Sequence, residues 1–219
     1  MTTIERRPPL KPGEPAPDFT LPAIDRPGTV SLADYRGRSP VLLAIFRGLY
    51  CPLCRRAIAQ LGLSRPKLQE AGVESLGIIA TKPEHARLYF QFRPTRLPLA
   101  ADPDMTTHHA YGLPMPALTR ELTQALEPLR FNPTGELPEP LPLLEAVQAL
   151  DRLHGFEPTE NYRQEAQRQF PQLAGEFLVD RDGIVRWVYI ETAEAGWAGL
   201  GKFPTERDLL AVARAVEER

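Results

Sequence analysis

The feature that most limits what this chain can fold into is an apolar run, VLLAIF, followed closely by two cysteines and a helical pattern. Val41–Phe46 has the length and continuity of a strand buried on both faces. Cys51 and Cys54 are the only cysteines of the chain, and both fall in FRGLYCPLCRR, between this strand and the helix. In an open α/β sheet such a junction lies at the carboxyl edge, where functional sites tend to lie.

The same alternation of strand and helix runs through much of the chain. Strands are predicted on both sides of a Pro-Gly turn within residues 19–33, at residues 73–81 and 97–102, and around an Asp-Gly turn at residues 180–183. A capping box that begins at Thr205 predicts a terminal helix. This order predicts an α/β fold.

Two segments depart from that alternation. Residues 1–13 are predicted to form a flexible arm. Residues 114–171 contain helical patterns separated by prolines and little strand signal, which indicates a helical insertion within a single domain that spans residues 1–219. Pro66, in the helix after the cysteines, predicts a kink or a second helix start.

Composition narrows the classes of partner. The chain has 26 basic and 28 acidic residues, a net charge of -2 and no basic tract, so neither nucleic acid nor a membrane surface is expected as a partner. The first residues are polar where a secretory signal would be apolar, and no run of about 20 apolar residues occurs. We therefore expect a cytoplasmic protein, in which a close pair of thiols is more often catalytic, redox-sensing or metal-binding than structural.

The position of the cysteines points to redox chemistry. If the helix begins near Pro52, Cys51 lies at its N-terminus, where free N–H groups and the helix dipole stabilise a thiolate. Arg47 and Arg55 add positive charge that lowers a thiol pKa further. Cys54 faces the same side of the first turn, so one sulfur can attack a substrate and the other can resolve the product as a disulfide.

Plainer interpretations exist for the same residues. The cysteines could be two small buried apolar side chains. A zinc site needs four ligands, and the single Cys-x-x-Cys pair would have to be completed across a dimer or by His108 and His109, so we expect no metal and no other cofactor. Arg47 could be a solvated charge at a strand end. The candidate substrate-binding residues, Gly48, Tyr50, Pro52 and Trp197, could equally belong to the core or to ordinary turns.

The residues also resemble a known family. The order hairpin, strand, FRGLYCPLCRR, helix, strand, helix and a closing hairpin is similar to the thioredoxin superfamily and, within it, to AhpC/TSA peroxiredoxin-like proteins. The likeness covers roughly residues 12–113 and 174–219. It implies a thioredoxin-like fold, a central mixed sheet flanked by helices, with an N-terminal β-hairpin. It also implies a redox-active pair of cysteines.

The chain departs from that family in three ways. The peroxiredoxin loop Pro-x-x-x-Thr-x-x-Cys would put Arg47 at the proline, Cys51 at the threonine and Cys54 at the attacking cysteine. An arginine of the family would fall near Ala174, where there is none. Pro171 lies too far upstream to match the cis-proline of thioredoxins. The helix position favours Cys51 as the nucleophile and the peroxiredoxin pattern favours Cys54, and both alternatives remain open at this point.

The sequence thus predicts an enzyme, a thiol-dependent oxidoreductase with peroxide-reducing or disulfide-exchange activity. Its substrate would be a peroxide or a protein disulfide. Its reductant would be an external thioredoxin- or glutaredoxin-like thiol, and a homodimer is compatible with the sequence. The alternative is a non-catalytic binding or scaffold protein that uses residues 114–171 to hold a partner.

Overall fold

A mixed sheet of five strands forms the centre of the protein, which the computed structural model describes over residues 7–217. The order across the sheet is fifth, fourth, third, sixth and seventh strand of the chain. The third, fourth and fifth strands run parallel, and the sixth and seventh are antiparallel to their neighbours. The strands are β1 (Thr20–Pro22), β2 (Thr29–Ser31), β3 (Val41–Phe46), β4 (Glu74–Ile79), β5 (Leu99–Ala101), β6 (Gly175–Val179) and β7 (Val185–Ile190).

Helices cover the sheet and connect its strands. They are α1 (Pro52–Glu70), α2 (Pro83–Phe92), α3 (Thr106–Ala110), α4 (Arg120–Leu126), α5 (Leu143–Leu153), α6 (Glu160–Gln169) and α7 (Glu206–Glu217). Two short 3₁₀ turns occur at Leu32–Asp34 and Gly196–Gly199. β1 and β2 pair antiparallel as a separate hairpin. The predicted α/β class and the N-terminal hairpin are therefore confirmed.

The central strand β3 explains the position of the cysteines. All six of its side chains are buried, because the sheet has a packed layer on each face. Leu42, Ala44 and Phe46 belong to the core cluster that includes α1, whereas Leu43 and Ile45 belong to the cluster on the opposite face. The chain leaves β3 at the carboxyl edge of the sheet and enters α1 there.

Helix α1 is one continuous helix of 19 residues that contains Pro66. The predicted second start at Pro66 is therefore wrong. Proline removes one backbone hydrogen bond of a helix, but α1 has buried anchors on both sides of Pro66, among them Leu61 and Leu68. Packing of these side chains against the core offsets the missing bond.

The N-terminal segment differs from the prediction over its described part. Leu10 is only 2% exposed and its N–H donates to the carbonyl of Tyr111 at 3.3 Å. Gly13 donates to the carbonyl of Val185 at 2.7 Å. Residues 7–13 are thus tied to the core, because Leu10 supplies an apolar anchor that a mobile arm lacks. The first six residues of the predicted arm lie outside the described residues.

Residues 114–171 carry α4, α5 and α6, and within them only an isolated bridge between Phe131 and Leu141 has strand-type pairing. Leu122, Leu150 and Phe156 are buried in the same core cluster as the cysteines. The segment therefore packs on the α1 side of the sheet. Within the described part of the chain, no helix has both the length and the apolar character needed to cross a membrane.

Glu176 places a carboxyl group inside this core. It lies in the middle of β6, opposite Ala44 of β3 and Tyr189 of β7, and it is 3% exposed. Its Oε2 has no hydrogen-bond partner. Burial raises the pKa of Glu176 to about 8, because the charged form loses its hydration.

This buried acid predicts a pH-dependent stability. The folded protein keeps the proton of Glu176 to a higher pH than the unfolded chain, so stability that is complete below about pH 4.5 is lost as the pH rises through about 8. Glu176→Gln removes this loss. Relative to that variant, the wild-type free energy of unfolding should fall by on the order of 3–5 kcal/mol between acidic and alkaline solution. Urea unfolding of both proteins across this range measures the difference, and a constant difference would contradict the assignment.

Candidate active site

Cys51 and Cys54 lie at the N-terminus of α1, which follows the end of β3 along the chain. Cys51 is the N-cap residue and is 7% exposed, whereas Cys54 is fully enclosed at 0%. Both are free thiols. The backbone N–H of Cys54 donates to Sγ of Cys51 at 3.3 Å, so the Cys51 sulfur caps the helix. Pro52 occupies the first helical position, where its missing N–H leaves no bond unmade.

Arg47 is the charged neighbour of the Cys51 sulfur. Its Nε donates to Sγ of Cys51 at 3.4 Å. Its two other nitrogens bind Glu191, at 2.5 Å from Nη1 to Oε2 and 3.1 Å from Nη2 to Oε1, and Nη1 also donates to the carbonyl of Gln172 at 3.2 Å. Arg47 is itself buried, so every guanidinium nitrogen has a partner and the side chain is held in one orientation.

Glu191 completes this arrangement and was missed by sequence reasoning. It follows β7 directly and is completely buried. Besides Arg47, its Oε2 accepts from the N–H of Ala174 at 3.1 Å and its Oε1 accepts from the N–H of Gly201 at 2.5 Å. An arginine directly after a buried strand indicates that an acid is buried near it, which is the one sequence signal for such a residue. Several acids follow predicted strands, so this signal does not single out Glu191.

The two thiols have opposite acidities. Burial by itself raises the pKa of Cys51, but the hydrogen bond from the Cys54 thiol, the charge and N–H of Arg47 and the N–H of Cys54 together lower it to about 6. Burial and the hydrogen bond to Cys51 raise the pKa of Cys54 well above its ordinary value. At neutral pH the pair therefore holds a thiolate at Cys51 and a thiol at Cys54.

A cavity of about 610 Å³ opens in front of Cys51. Its wall is largely apolar, and most of it comes from α4, α5, α6 and the loops beside them. The contributing residues include Leu118, Leu126, Leu143, Leu144, Val147, Phe170, Leu173 and Leu200. Three of the predicted substrate-binding residues, Tyr50, Pro52 and Trp197, also line it, together with Arg47. The helical segment and Cys51 thus border the same cavity.

Gly48 is not among the residues that line this cavity. Its N–H donates to Oε1 of Gln169 at 3.0 Å, and a β-carbon at this position would lie 2.9 Å from Cδ1 of Tyr50. The next residue, Leu49, donates to Oγ1 of Thr81 at 2.9 Å. Gly48 therefore allows close packing of the cysteine loop, and nothing in its contacts supports the predicted contact with substrate.

Arg55 does not contribute to the thiolate in the way that the sequence predicted. Its guanidinium donates to the carbonyl of Leu49 at 2.8 Å and to Oδ1 of Asp151 at 2.6 Å, and it lies 3.8 Å from the ring centre of Phe156. The ion pair with Asp151 compensates its charge. Arg55 thus anchors α5 to the cysteine loop, because an arginine one position after Cys54 on α1 points toward the inserted helices.

The expected absence of a cis-proline was wrong. The peptide bond between Phe170 and Pro171 is cis, and both residues line the cavity that contains Cys51. Sequence reasoning dismissed Pro171 because it lies four residues ahead of β6.

His108, which was considered as a metal ligand, is buried with Nε2 3.1 Å from the carbonyl oxygen of Phe46. Burial lowers the pKa of His108 to about 4, so it is neutral.

Comparison with known proteins agrees with this geometry. The model of the AhpC/TSA family matches residues 12–140. The chain belongs to the AhpC/TSA family. The match includes the cysteine pair and the beginning of the helical segment, and it ends before β6.

Curated relatives of this AhpC/TSA chain are named as peroxiredoxins. Peroxiredoxin Bcp of Escherichia coli strain K12 is 32% identical over 106 residues, which cover 48% of this chain and 66% of the relative. A Mycobacterium tuberculosis H37Rv protein with the provisional name peroxiredoxin Rv2521 is 36% identical over 106 residues, 47% of this chain and 66% of its own. The match thus spans slightly less than two thirds of these relatives.

Solved structures extend the likeness of the fold beyond the sequence match. Peroxidoxin BcpB of Mycobacterium tuberculosis superposes with a TM-score of 0.58 at 16% identity and covers 94% of this chain and 98% of its own. The reduced 2-Cys peroxiredoxin of Plasmodium vivax gives a TM-score of 0.60 at 16% identity, over 96% and 83%. These likenesses confirm the thioredoxin-like fold of the AhpC/TSA chain, including the closing strands.

The contact between Arg47 and Cys51 predicts the effect of a conservative change. In a Cys54→Ser background, which leaves one thiol and keeps a hydroxyl donor, Cys51 should titrate near the pKa of about 6. Arg47→Lys keeps the charge but loses the fixed fork of donors, so the pKa of Cys51 should rise by about one unit or more. Thiolate ultraviolet absorbance against pH measures it. Arg56→Lys, also near the start of α1, is the matched control, and an equal shift in both variants would contradict a specific role of Arg47.

Proposed function

We propose that this protein is a thiol-dependent peroxidase that reduces apolar organic hydroperoxides, with Cys51 as nucleophile and Cys54 as resolving thiol. The observation that carries the proposal is the Cys51 sulfur itself. It receives hydrogen bonds from Arg47 and from the N–H of Cys54 and lies in the wall of the large apolar cavity. A stabilised thiolate that faces a cavity is the arrangement that attack on a bound substrate requires.

The reaction proceeds in balanced steps. The Cys51 thiolate attacks the hydroxyl oxygen of the hydroperoxide, the O–O bond breaks, and Cys51 becomes a sulfenic acid while the alkoxide takes a proton from solvent and leaves as an alcohol. Cys54 then attacks the Cys51 sulfur, and its proton leaves with the displaced hydroxide as water. An external dithiol reduces the resulting disulfide and is itself oxidised to a disulfide.

Arg47 and Tyr50 have separate roles in the first step. The Arg47 N–H that stabilises the thiolate is also placed to stabilise negative charge that develops on the peroxide oxygens. The hydroxyl of Tyr50 is buried without a hydrogen-bond partner, and Tyr50 lines the same cavity. It is therefore available to donate a hydrogen bond to the bound hydroperoxide, whose oxygen would satisfy it.

The cavity supports an apolar substrate. Its volume falls within the range of about 300–1,000 Å³ that small-molecule sites occupy. Arg47 is the charged residue in its lining, and Glu191 compensates that charge. A hydroperoxide with a hydrocarbon body would gain apolar burial against α4, α5 and α6 that hydrogen peroxide lacks.

The partner in this proposal is an external thioredoxin- or glutaredoxin-like dithiol, and the compartment is the reducing cytoplasm. The support is chemical, because both thiols must return to the reduced form after each turnover. The homodimer remains a prediction.

Single-turnover kinetics test the activity. Under anaerobic conditions, cumene hydroperoxide should oxidise the reduced protein orders of magnitude faster than free cysteine. Cys51→Ser should abolish this reaction, whereas Cys54→Ser should keep the first step and stop at a sulfenic acid that dimedone traps. If neither cumene hydroperoxide nor hydrogen peroxide oxidised the thiols faster than it oxidises free cysteine, the proposed peroxidase activity would be refuted. Fast reaction with an oxidised protein partner alone would identify disulfide exchange instead.

The apolar wall predicts a change in substrate preference. Val147→Phe adds bulk inside the cavity, so the rate with cumene hydroperoxide should fall roughly tenfold while the rate with hydrogen peroxide stays nearly unchanged. Leu153→Phe, also on α5 but exposed and not part of the wall, is the matched control and should change neither rate. Equal losses with both peroxides would show that the wall does not select the substrate.

A further inference from the structure

A second cavity lies behind the helix that carries the cysteines. It has a volume of about 240 Å³ and is bordered by α1, the start of α7, the loop before α7 and residues 133–134. Apolar side chains form most of its inner wall, and polar residues stand among them. The lining includes Leu53, Ala57, Leu61, Phe203, Pro204 and Leu209. An apolar cavity of about 150 Å³ is enough to hold a benzene molecule, so this space can take a ring with a short substituent.

Glu176 contributes a buried acid to this cavity. Its side chain is almost completely buried, and its Oε2 has no hydrogen-bond partner. Burial alone raises the pKa of Glu176, and no arginine, lysine or histidine lowers it. An uncompensated buried acid of this kind is unusual in a native protein, because each unsatisfied polar group reduces stability.

The other charged groups of the cavity are already paired. Arg56 lies 3.6 Å from Oε2 of Glu136, and Glu206 pairs with Lys67. Tyr189 lies opposite Glu176 on β7. Burial raises the pKa of its hydroxyl group, so Tyr189 stays neutral. Among the described residues, no positive charge therefore favours the ionised form of Glu176.

These features define the chemistry of a ligand. Its body must be apolar and small enough for the cavity. Its polar head must donate hydrogen bonds and carry a positive charge, because an ammonium group next to Glu176 would favour the ionised carboxylate and form a charge-assisted hydrogen bond. An alcohol or a hydrocarbon of the same shape would lack that charge.

We propose that this cavity is a binding site for a small primary amine with an apolar body, whose ammonium group pairs with the Glu176 carboxylate. The site is separate from the cavity of Cys51, but Leu53 lies in the wall of both. Gly201 also lines this second cavity, and a β-carbon there would lie 2.2 Å from Cδ1 of Leu53. The proposal does not depend on the peroxidase activity, because it concerns binding to a different cavity.

Calorimetry with benzylamine as the probe tests the proposal. The protein should bind benzylamine about tenfold or more tightly than benzyl alcohol, which has the same shape without the charge. Because Glu176 must lose its proton on pairing with an ammonium group, titrations at neutral pH in buffers of different ionisation enthalpy should show release of about one proton per amine bound.

Two variants complete the test. Glu176→Gln has the shape of the protonated acid and should fold, which its binding of benzyl alcohol checks, but it should lose the preference for the amine and the proton release. Glu206→Gln at the edge of the cavity should keep both. Equal amine binding by the wild type and Glu176→Gln, no proton release, or no binding of either probe, as expected if the cavity holds only water, would overturn the proposal.

Discussion

The buried ion pair between Arg47 and Glu191 is the interaction on which the site depends. Removal of two charges from water is unfavourable, and this pair is maintained because every guanidinium nitrogen and both carboxylate oxygens have partners. Those partners belong to the cysteine loop, to the segment before β6 and to the loop before α7. The same bonds that compensate the charges therefore fix three loops at one edge of the sheet.

The asymmetry of the cysteines follows from this arrangement. Arg47 has two nitrogens committed to Glu191, so its Nε is directed at Cys51, while Cys54 one turn further along α1 is enclosed by the core. The helix terminus supplies a donor to the same sulfur. Burial raises the pKa of both thiols. The hydrogen bonds to the Cys51 sulfur and the Arg47 charge outweigh burial at Cys51, whereas the pKa of Cys54 stays raised, so a thiolate and a thiol lie three residues apart.

Much of the sheet could be predicted because its signals are local. VLLAIF, the Asp-Gly turn and the Thr205 capping box specify β3, the β6-β7 hairpin and the start of α7 from a few neighbouring residues each. The position of Cys51 at the tip of α1 followed from the same kind of signal. The partners of the site could not be predicted, because Glu191 lies 144 residues from Arg47 and meets it only through the fold.

The failed predictions have the same origin. Arg55 is close enough to Cys51 in sequence to suggest that it stabilises a thiolate, but it forms an ion pair with Asp151 on α5. Pro171 lies four residues from β6 along the chain, a separation that argued against a match, but the residues from 170 to 173 all line the Cys51 cavity. Glu176 occupies an ordinary strand position in the sequence. Only the fold shows that it is buried without a hydrogen-bond partner for Oε2 and that a cavity lies beside it.

The complete enclosure of Cys54 has a consequence for thiol exchange. An incoming thiolate attacks a disulfide along the axis of the S–S bond, so it must approach the outer side of the sulfur that it strikes. In a Cys51–Cys54 disulfide within this framework, only the Cys51 sulfur borders the open cavity. In the proposed reaction, the mixed disulfide with a reductant therefore forms at Cys51 and Cys54 is the sulfur that leaves, so the burial of Cys54 decides which of the two sulfurs is attacked.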